Sequence, residues 1–320
     1  MEQLIATAAA AAGRPPVADG PSGTLLWGDV LIDQVVELAA AAKNARDAGH
    51  AVSGLPTGHA AVDRLLNGLQ GAGLYVLGGA PGTGKTTLAL QWACHVAGEA
   101  GAPVLYVTFE NTPRNLALKA VCRLARVSPS VIERGREEPT RLAEGLRAFD
   151  RFADRLCFLP GGNAESVADV EAYARAALRR HAAPRCLIVL DYLQRMAYRG
   201  RYADLRENVS ELSLRLRELA GHLDSPVLAL STLSRQIADL DHPTLEALKE
   251  SGDLEYAADV VLLLGARKEA TLGSAARARA TGGARLLDLL VAKNRYGEAD
   301  YRVPLLFNAP IGAFSEETSV

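Results

Sequence analysis

The chain has 320 residues, of which 49% are hydrophobic and 22% are charged, which is enough for one large domain with a buried core plus extensions. Its net charge of −2 argues against a globally basic nucleic-acid binder, so any such contact must come from a local cluster. The four cysteines lie far apart in apolar segments, which favours buried thiols over a disulfide or zinc framework. Without a membrane-length apolar run or a signal peptide, we expect a cytoplasmic protein.

The chain divides into three predicted parts. Residues 1–28 are rich in Ala, Gly and Pro and are expected to be disordered. Residues 29–50 contain apolar positions at helical spacing and predict an amphipathic linker helix. The pattern alone leaves open whether this helix packs on its own domain. Residues 51–320 form the main domain.

From residue 54 onward, predicted strands alternate with predicted helices, which indicates an α/β fold with a mainly parallel sheet flanked by helices. The strands are expected at 74–78, 104–110, 156–160, 186–191, 227–232, 260–265, 286–292 and 301–307. The helices are expected at about 85–98, 113–126, 139–152, 165–181, 205–222 and 243–256. The last two strands predict a hairpin, and the segment 266–284 predicts a surface loop.

The stretch from Gly79 to Thr86 fits the G-x-x-x-x-G-K-[ST] pattern of a phosphate-binding loop, and it lies between a predicted strand and a predicted helix. Glycines in such a loop let backbone N–H groups converge on phosphate oxygens at a helix N-terminus. We expect Lys85 to reach the β- and γ-phosphates and Thr86 to place its hydroxyl on Mg²⁺. The predicted nucleotide contacts in this stretch are Gly79, Ala80, Pro81, Gly82, Thr83, Gly84, Lys85, Thr86 and Thr87.

Three further side chains follow predicted strands and suit a triphosphatase. Asp191 ends a buried apolar strand, as in a Walker B arrangement, where an Asp holds Mg²⁺ directly or through its water. Glu110 ends the second strand and could polarise an attacking water, the alternative being an ordinary strand-end acid. Thr232 ends the fifth strand near the expected γ-phosphate, although hydroxyl residues are also common in turns.

Two cations, Lys293 and Arg295, are two residues apart near a strand end, so their side chains project from one face. The acids close to them in sequence are Glu298 and Asp300. The pair is either a solvated face or a charge clamp for a phosphate.

Beyond the phosphate loop, several short motifs occur in a fixed order. They are Ser53–Gly58, Asp63, Phe109-Glu110, Leu190–Gln194, Leu230–Arg235, Glu250–Gly252, Ala258-Asp259 and Lys293–Gly297. Over about residues 50–310 the chain thereby resembles the C-terminal ATPase domain of the DnaB-family replicative helicases. The resemblance implies a RecA-like P-loop NTPase core, a hexameric ring of identical subunits, and ATP sites between neighbouring subunits.

The resemblance also implies residue roles. Glu110 matches the catalytic glutamate of the family, and Arg295 matches the arginine finger given to the neighbour's nucleotide, with Lys293 as its companion. The helix at 29–48 matches the linker helix that docks on the adjacent subunit. The candidate contacts with single-stranded DNA in the ring channel are Arg199, Arg201 and Arg206 in one loop and Lys249, Glu250 and Gly252 in another.

Two features depart from the family pattern. Thr232 stands where the family has a Gln that is implied to sense the γ-phosphate, so the coupling of hydrolysis to DNA binding is expected to differ. Only about 50 residues precede the core, so a reduced form without the primase-binding N-terminal domain is expected.

The expected function is therefore that of an ATP- and Mg²⁺-dependent ring helicase or translocase on single-stranded DNA, of accessory or mobile-element type. The alternative is a RecA- or KaiC-like ATPase that regulates or scaffolds a protein partner without unwinding. The missing Gln and the acidic net charge favour the alternative. The Lys249–Gly252 loop and the basic segment 199–206 favour the helicase.

Overall fold

A computed structural model describes most of the main domain and, before it, three isolated helical residues, Val35, Ala39 and Lys43. The described ranges are 52–135, 139–163, 166–197, 200, 202, 204–233, 252–267 and 284–317, with only the backbone described at 252 and 253.

Contacts within the chain divide it into two units, Met1–Ser53 and Gly54–Val320. The expected disordered segment 1–28 and most of the expected linker helix 29–50 lie outside the described residues, so both stay predictions. The second unit contains all the strands described below.

Within the described residues, nine strands form one sheet. They are β1 (Leu74–Gly79), β2 (Val104–Thr108), β3 (Leu156–Pro160), β4 (Leu187–Asp191), β5 (Val227–Thr232), β6 (Val260–Ala266), β7 (Arg285–Asn294), β8 (Tyr301–Asn308) and β9 (Ala313–Glu316). Their order is β3-β2-β4-β5-β1-β6-β7-β8-β9. The pairs from β3 to β6 are parallel and those from β6 to β9 are antiparallel. The predicted mainly parallel sheet and the final hairpin are confirmed.

Helices connect the strands and cover the sheet. They are α1 (Ala60–Leu66), α2 (Lys85–Gly98), α3 (Pro113–Ala125), α4 (Pro129–Glu133), α5 (Pro139–Asp150), α6 (Val167–His181), α7 (Leu193–Ala197), α8 (Leu205–Leu223) and α9 (Gly252–Ala257). In the part of the chain that the structure describes, no helix is both long and apolar enough to cross a membrane.

Local sequence explains where several of these helices begin. The Thr112 hydroxyl accepts a hydrogen bond from a backbone N–H in the first turn of α3. Ser166 and Asp169 form a reciprocal capping box at the start of α6. The Asp204 carboxylate accepts from the backbone N–H of Arg206 at 2.8 Å at the start of α8. Such caps satisfy N–H groups that have no partner inside the helix.

The sheet is buried on both faces, because successive side chains of a strand point to opposite sides. In β1, Tyr75 and Leu77 belong to one core with the apolar face of α2, whereas Leu74 and Val76 belong to the other with α8. The parallel strands therefore consist of nearly continuous apolar runs.

Parallel strands give the sheet two chemically different edges. We call the edge where β1, β2, β4 and β5 end the carboxyl edge, and the edge where β1 and β6 begin the amino edge. Since β1 has six residues and a strand rises about 3.3 Å per residue, the two edges are roughly 16 Å apart along it.

Some elements differ from the predictions. The sequence pattern does not predict β9, a four-residue strand at the sheet margin, or α1, whose N-cap residue His59 makes no side-chain cap. The second strand ends at Thr108, so Glu110 lies in the bend that follows it. The predicted helix 243–256 is described only from Gly252, and it ends at Ala257.

The prediction of buried thiols is wrong for one cysteine. Cys94, Cys122 and Cys186 are buried and Cys157 is exposed, and all four are unpaired. Cys157 lies on β3, which is the last strand on its side of the sheet, so a neighbouring strand covers only one of its margins.

Candidate nucleotide site

The predicted phosphate-binding loop joins β1 to α2 at the carboxyl edge. Gly82 and Gly84 have φ angles of 79° and 101°, a region that L side chains rarely adopt. A Cβ atom at Gly84 would also lie 2.8 Å from the ring of Phe314. The hydroxyl of Thr83 donates to the carbonyl of Ala80 at 2.8 Å and closes the turn. The glycines therefore permit a turn that brings the loop to the N-terminus of α2.

Lys85 is held inside this loop. Its Nζ donates to the carbonyl oxygens of Gly79 at 2.6 Å and Ala80 at 3.1 Å. Burial lowers the pKa of Lys85, while the nearby Asp191 and Glu110 carboxylates oppose that shift. A desolvated ammonium group between backbone carbonyls gains from a further anion, and phosphate supplies one.

Thr86 and Asp191 meet beside the loop. The Thr86 hydroxyl donates to Oδ1 of Asp191 at 3.3 Å, and the Tyr106 hydroxyl donates to Oδ2 at 3.0 Å. Burial raises the pKa of Asp191, the hydrogen bonds from Tyr106 and Thr86 lower it, and the charge of Glu110 raises it again. A hydroxyl and a carboxylate are the hard oxygen donors that Mg²⁺ prefers, so these two side chains fit the predicted metal.

Tyr106 is a contact that the motif search missed. It lies in the middle of β2, where it counts as an ordinary apolar strand residue in the sequence pattern. The pairing of Thr108 with Asp191 across β2 and β4 brings its hydroxyl to the Walker B acid. The ring is fully buried, which fixes the side of the carboxylate that it contacts.

Glu110 follows β2 and is exposed at the carboxyl edge. The preceding residue, Phe109, donates its backbone N–H to the carbonyl of Asp191 at 2.8 Å, which ties this bend to the end of β4. The charge of Glu110 acts on the pKa values of both Lys85 and Asp191. Glu110 is therefore close to the phosphate loop although it is not in the strand itself.

The end of β5 lies between the phosphate loop and β4. Thr232 pairs with Gly79 in the sheet register. Gln194, in the first turn of α7, donates its side-chain amide to the Ser231 hydroxyl at 2.8 Å, and its Oε1 lies 3.5 Å from the backbone N of Thr232. An amide side chain from α7 therefore contacts the strand end where Thr232 stands.

A second group that sequence reasoning missed lies beside the phosphate loop. The Arg285 guanidinium donates to the Gly82 carbonyl at 3.3 Å and lies 5.0 Å from the centre of the Phe307 ring. Phe307 and Phe314 stack with ring centres 4.3 Å apart, and both approach Gly84. These side chains come from β7, β8 and β9, so only the antiparallel pairing of those strands brings them to the loop.

Lys293 and Arg295 lie at the amino edge, away from the phosphate loop of their own chain. The register pairs Lys293 with Val261 near the start of β6, and the backbone N–H of Arg295 donates to the Asp259 carbonyl at 2.9 Å. The structure therefore does not bring these two cations together with Lys85.

The anionic partner of this pair is Asp259 rather than the acids nearby in sequence. Its buried carboxylate accepts from Arg295 at 3.1 Å and from Arg217 at 3.0 Å, both on Oδ1. Its Oδ2 accepts from the backbone N–H of Leu74 at 3.0 Å. Asp259 lies 36 positions before Arg295, so only the pairing of β6 with β7 could reveal the contact.

The predicted DNA contacts are mostly outside the described residues. Arg199, Arg201, Lys249 and Glu250 fall there, and Gly252 is described only as the first backbone position of α9. Arg206 is exposed in the first turn of α8. Nearby, the buried Asn208 side chain exchanges hydrogen bonds of 2.9 and 2.8 Å with the backbone N–H and carbonyl of Tyr202, which anchors one residue of the basic segment.

The fold and this loop define a P-loop nucleotide-binding domain. The model of the DnaB-like helicase C-terminal domain matches residues 54–316, and the chain belongs to that family. The match confirms the resemblance expected from the motif order.

Individual relatives agree with the family. The chain is 29% identical over 216 residues to the replicative DNA helicase DnaB of Geobacillus stearothermophilus, covering 67% of this chain and 47% of the relative. It is 28% identical over 270 residues to a probable plasmid replicative DNA helicase of Chlamydia psittaci, covering 82% and 56%. The chain thus spans about half the length of these curated relatives.

A solved structure of a DnaB-like replicative helicase superposes with a TM-score of 0.76 at 22% identity, covering 91% of this chain and 68% of that chain. A solved helicase-type ATPase domain matches with the same TM-score of 0.76 and covers 93% of this chain and 100% of that domain. These two matches confirm the RecA-like fold.

Proposed function

We propose that this chain is the ATP-hydrolysing motor of a ring-shaped helicase or translocase on single-stranded DNA, with ATP and Mg²⁺ as cofactors. The observation that carries the proposal is the separation of its charged groups between the two sheet edges. The phosphate loop and the two acids lie at the carboxyl edge, whereas Lys293 and Arg295 lie at the amino edge.

This separation requires a second copy if all these groups serve one nucleotide. Since the edges are roughly 16 Å apart, Arg295 does not reach a nucleotide on its own phosphate loop. A neighbouring subunit whose amino edge faces this carboxyl edge brings both sets of groups to one phosphate chain. A head-to-tail contact of this kind closes into a ring, which supports the hexameric homo-oligomer.

Within such an interface each residue has a chemical task. Loop N–H groups and Lys85 bind the β- and γ-phosphates, and Thr86 and Asp191 hold the Mg²⁺, which neutralises phosphate charge. Glu110 accepts a proton from the attacking water. Arg295 of the neighbour stabilises the charge that develops on the transferred phosphoryl group, with Lys293 beside it.

The DNA substrate rests on the family and on the basic segment before α8. Phosphate contacts from basic side chains give binding that weakens as salt rises. The relation to a probable plasmid helicase supports a mobile-element or accessory role for the chain. A protein partner of the chain is left to experiment.

The deciding measurement is the ATPase rate of the full chain with and without a single-stranded DNA oligonucleotide. We expect stimulation of several-fold that fades as salt rises, and displacement of a paired strand in a fork substrate. The Lys85→Ala variant serves as the background for contaminating ATPase. Robust hydrolysis that ignores single-stranded DNA would instead favour the regulator or scaffold, to which Thr232 in place of the family Gln also points.

A further inference from the structure

The amino edge holds a third cation, Arg217, beside Lys293 and Arg295. Each of the three donates to a different carbonyl at the end of α9. Lys293 Nζ donates to Glu255 O at 2.6 Å, Arg295 Nη2 to Tyr256 O at 2.9 Å, and Arg217 Nη1 to Ala257 O at 3.2 Å. The last carbonyls of a helix have no partner within it and attract positive charge.

Asp259 joins the two arginines. Arg217 and Arg295 share its Oδ1, while Leu74 N–H donates to its Oδ2. The Asp259 backbone is also fixed, because its N–H donates to the Leu74 carbonyl at 2.8 Å. This carboxylate is therefore bound to the start of β1 and forms a rigid reference point for both guanidinium groups.

The two arginines approach that point from different supports. Arg295 follows the end of β7, whereas Arg217 comes from the middle of α8, a 19-residue helix with a buried apolar face. Each guanidinium spans the same carboxylate oxygen and a carbonyl of α9, so its plane is fixed at two points. Arg217 also takes part of the Asp259 charge, which leaves Arg295 less fully neutralised for a phosphate.

We propose that Arg217 is a positioning residue for Arg295: through the shared Asp259 carboxylate and the end of α9, it sets the orientation in which Arg295 meets the nucleotide of the neighbouring subunit. This inference rests on the proposed function, in which Arg295 acts across the interface. It assigns Arg217 no contact with the nucleotide itself.

The test uses Arg217→Met, which keeps the apolar stem and removes the charge and the fork. We expect kcat for ATP hydrolysis to fall by about 10-fold to 100-fold, the scale of a misplaced catalytic group. Nucleotide binding to the phosphate loop of the same chain should not change, because that loop is at the other edge. Arg215→Met is the matched control, since Arg215 pairs on the exposed face of α8 with Glu211.

Mixing separates positioning across the interface from a structural defect. Arg217→Met chains mixed with Lys85→Ala chains should regain activity, because an intact phosphate loop then faces an intact Arg217–Arg295 pair. Mixing them with Lys85→Ala chains that also carry Arg217→Met should restore nothing. If Arg217→Met does not fold, Arg217→Lys carries the same test with one hydrogen bond left.

Each outcome decides between the two proposals. If Arg295→Ala chains are rescued in the same mixture while Arg217→Met chains keep the wild-type rate or are not rescued, the positioning role of Arg217 is overturned and the proposed function stands. If Arg295→Ala chains keep the wild-type rate or are not rescued, the action across the interface fails and the role of Arg217 fails with it.

Discussion

The carboxyl edge and the amino edge of the sheet hold their charged groups in different ways. At the carboxyl edge, the one lysine of a continuous motif is enclosed by carbonyls, and two acids lie within its electrostatic reach. At the amino edge, cations from β7, its following turn and α8 converge on the end of α9, and the buried Asp259 lies between the two arginines. One edge is arranged to hold a phosphate chain with its metal, and the other to present cations.

The difference shows why one subunit is chemically incomplete as a phosphoryl-transfer site. Mg²⁺ and the loop offset the ground-state charge of a bound nucleotide, whereas a finger acts on charge that develops during transfer. The first set can be built by one strand–loop–helix unit. The second set comes here from the opposite edge, so its use requires an ordered neighbour, which makes turnover depend on assembly.

The largest effect is expected from breaking the amino edge. Arg295→Ala should bind ATP normally yet hydrolyse it about 10³-fold more slowly, the usual loss for a missing finger. Mixing it with Lys85→Ala, which is inactive because its phosphate loop lacks the cation, should restore part of the activity. Only mixed interfaces combine an intact loop with an intact finger. The measurement is steady-state phosphate release from each variant and from the mixture.

The mixing experiment requires that subunits exchange, which labelled protein can establish by energy transfer between chains. Exchange without recovered activity would contradict the assignment of Arg295 to the neighbour's nucleotide. It would favour a structural role for Arg295 in its pair with Asp259.

A smaller effect is expected from the acid at the carboxyl edge. Glu110→Gln keeps the side-chain shape and removes the base, so hydrolysis should slow by roughly 10²-fold while ATP binding persists. Glu99→Gln, at the exposed far end of α2, is the matched control and should leave the rate unchanged. Single-turnover hydrolysis and nucleotide affinity separate the two effects. Turnover near the wild-type rate would identify Glu110 as an ordinary acid after a strand.

The carboxyl edge was largely predictable because its chemistry is local in sequence. A contiguous motif fixes the loop, and an apolar strand that ends in Asp191 indicates the metal side. Tyr106 and Gln194 were not predictable, since their contacts depend on strand register and on the first turn of α7. Elements without strong periodicity or caps, such as α1 and β9, also escaped the pattern.

At the amino edge, the sequence reveals the cations Lys293 and Arg295 but not what holds them. Acids close in sequence were the natural candidates, whereas the structure supplies Asp259 through the pairing of β6 with β7. Arg217 contributes from α8, far away in sequence, at a position that resembles any exposed helix residue. Long-range pairing, which no local pattern encodes, determines this cluster.

The smallest predicted effect concerns Arg206, because α8 connects the two edges. Arg206 lies in its first turn and Arg217 about 16 Å further along, at 1.5 Å per residue. If Arg206 contacts a DNA phosphate, Arg206→Gln should reduce the slope of log affinity against log salt by about 0.7, the value for one single-strand phosphate contact. Affinity for single-stranded DNA should be measured by anisotropy over a salt series, with Arg215→Gln as the control on the same helix.

The outcomes of this salt series differ in what they say about α8. An unchanged slope for Arg206→Gln would remove this residue from the DNA surface. A parallel change in both variants would indicate a general charge effect instead, since Arg215 already pairs with Glu211 on the exposed face. A change confined to Arg206 would place DNA binding at one point of α8 and the support of Arg295 at another. The same rigid helix would then join the DNA contact to the cation cluster that faces the neighbouring nucleotide.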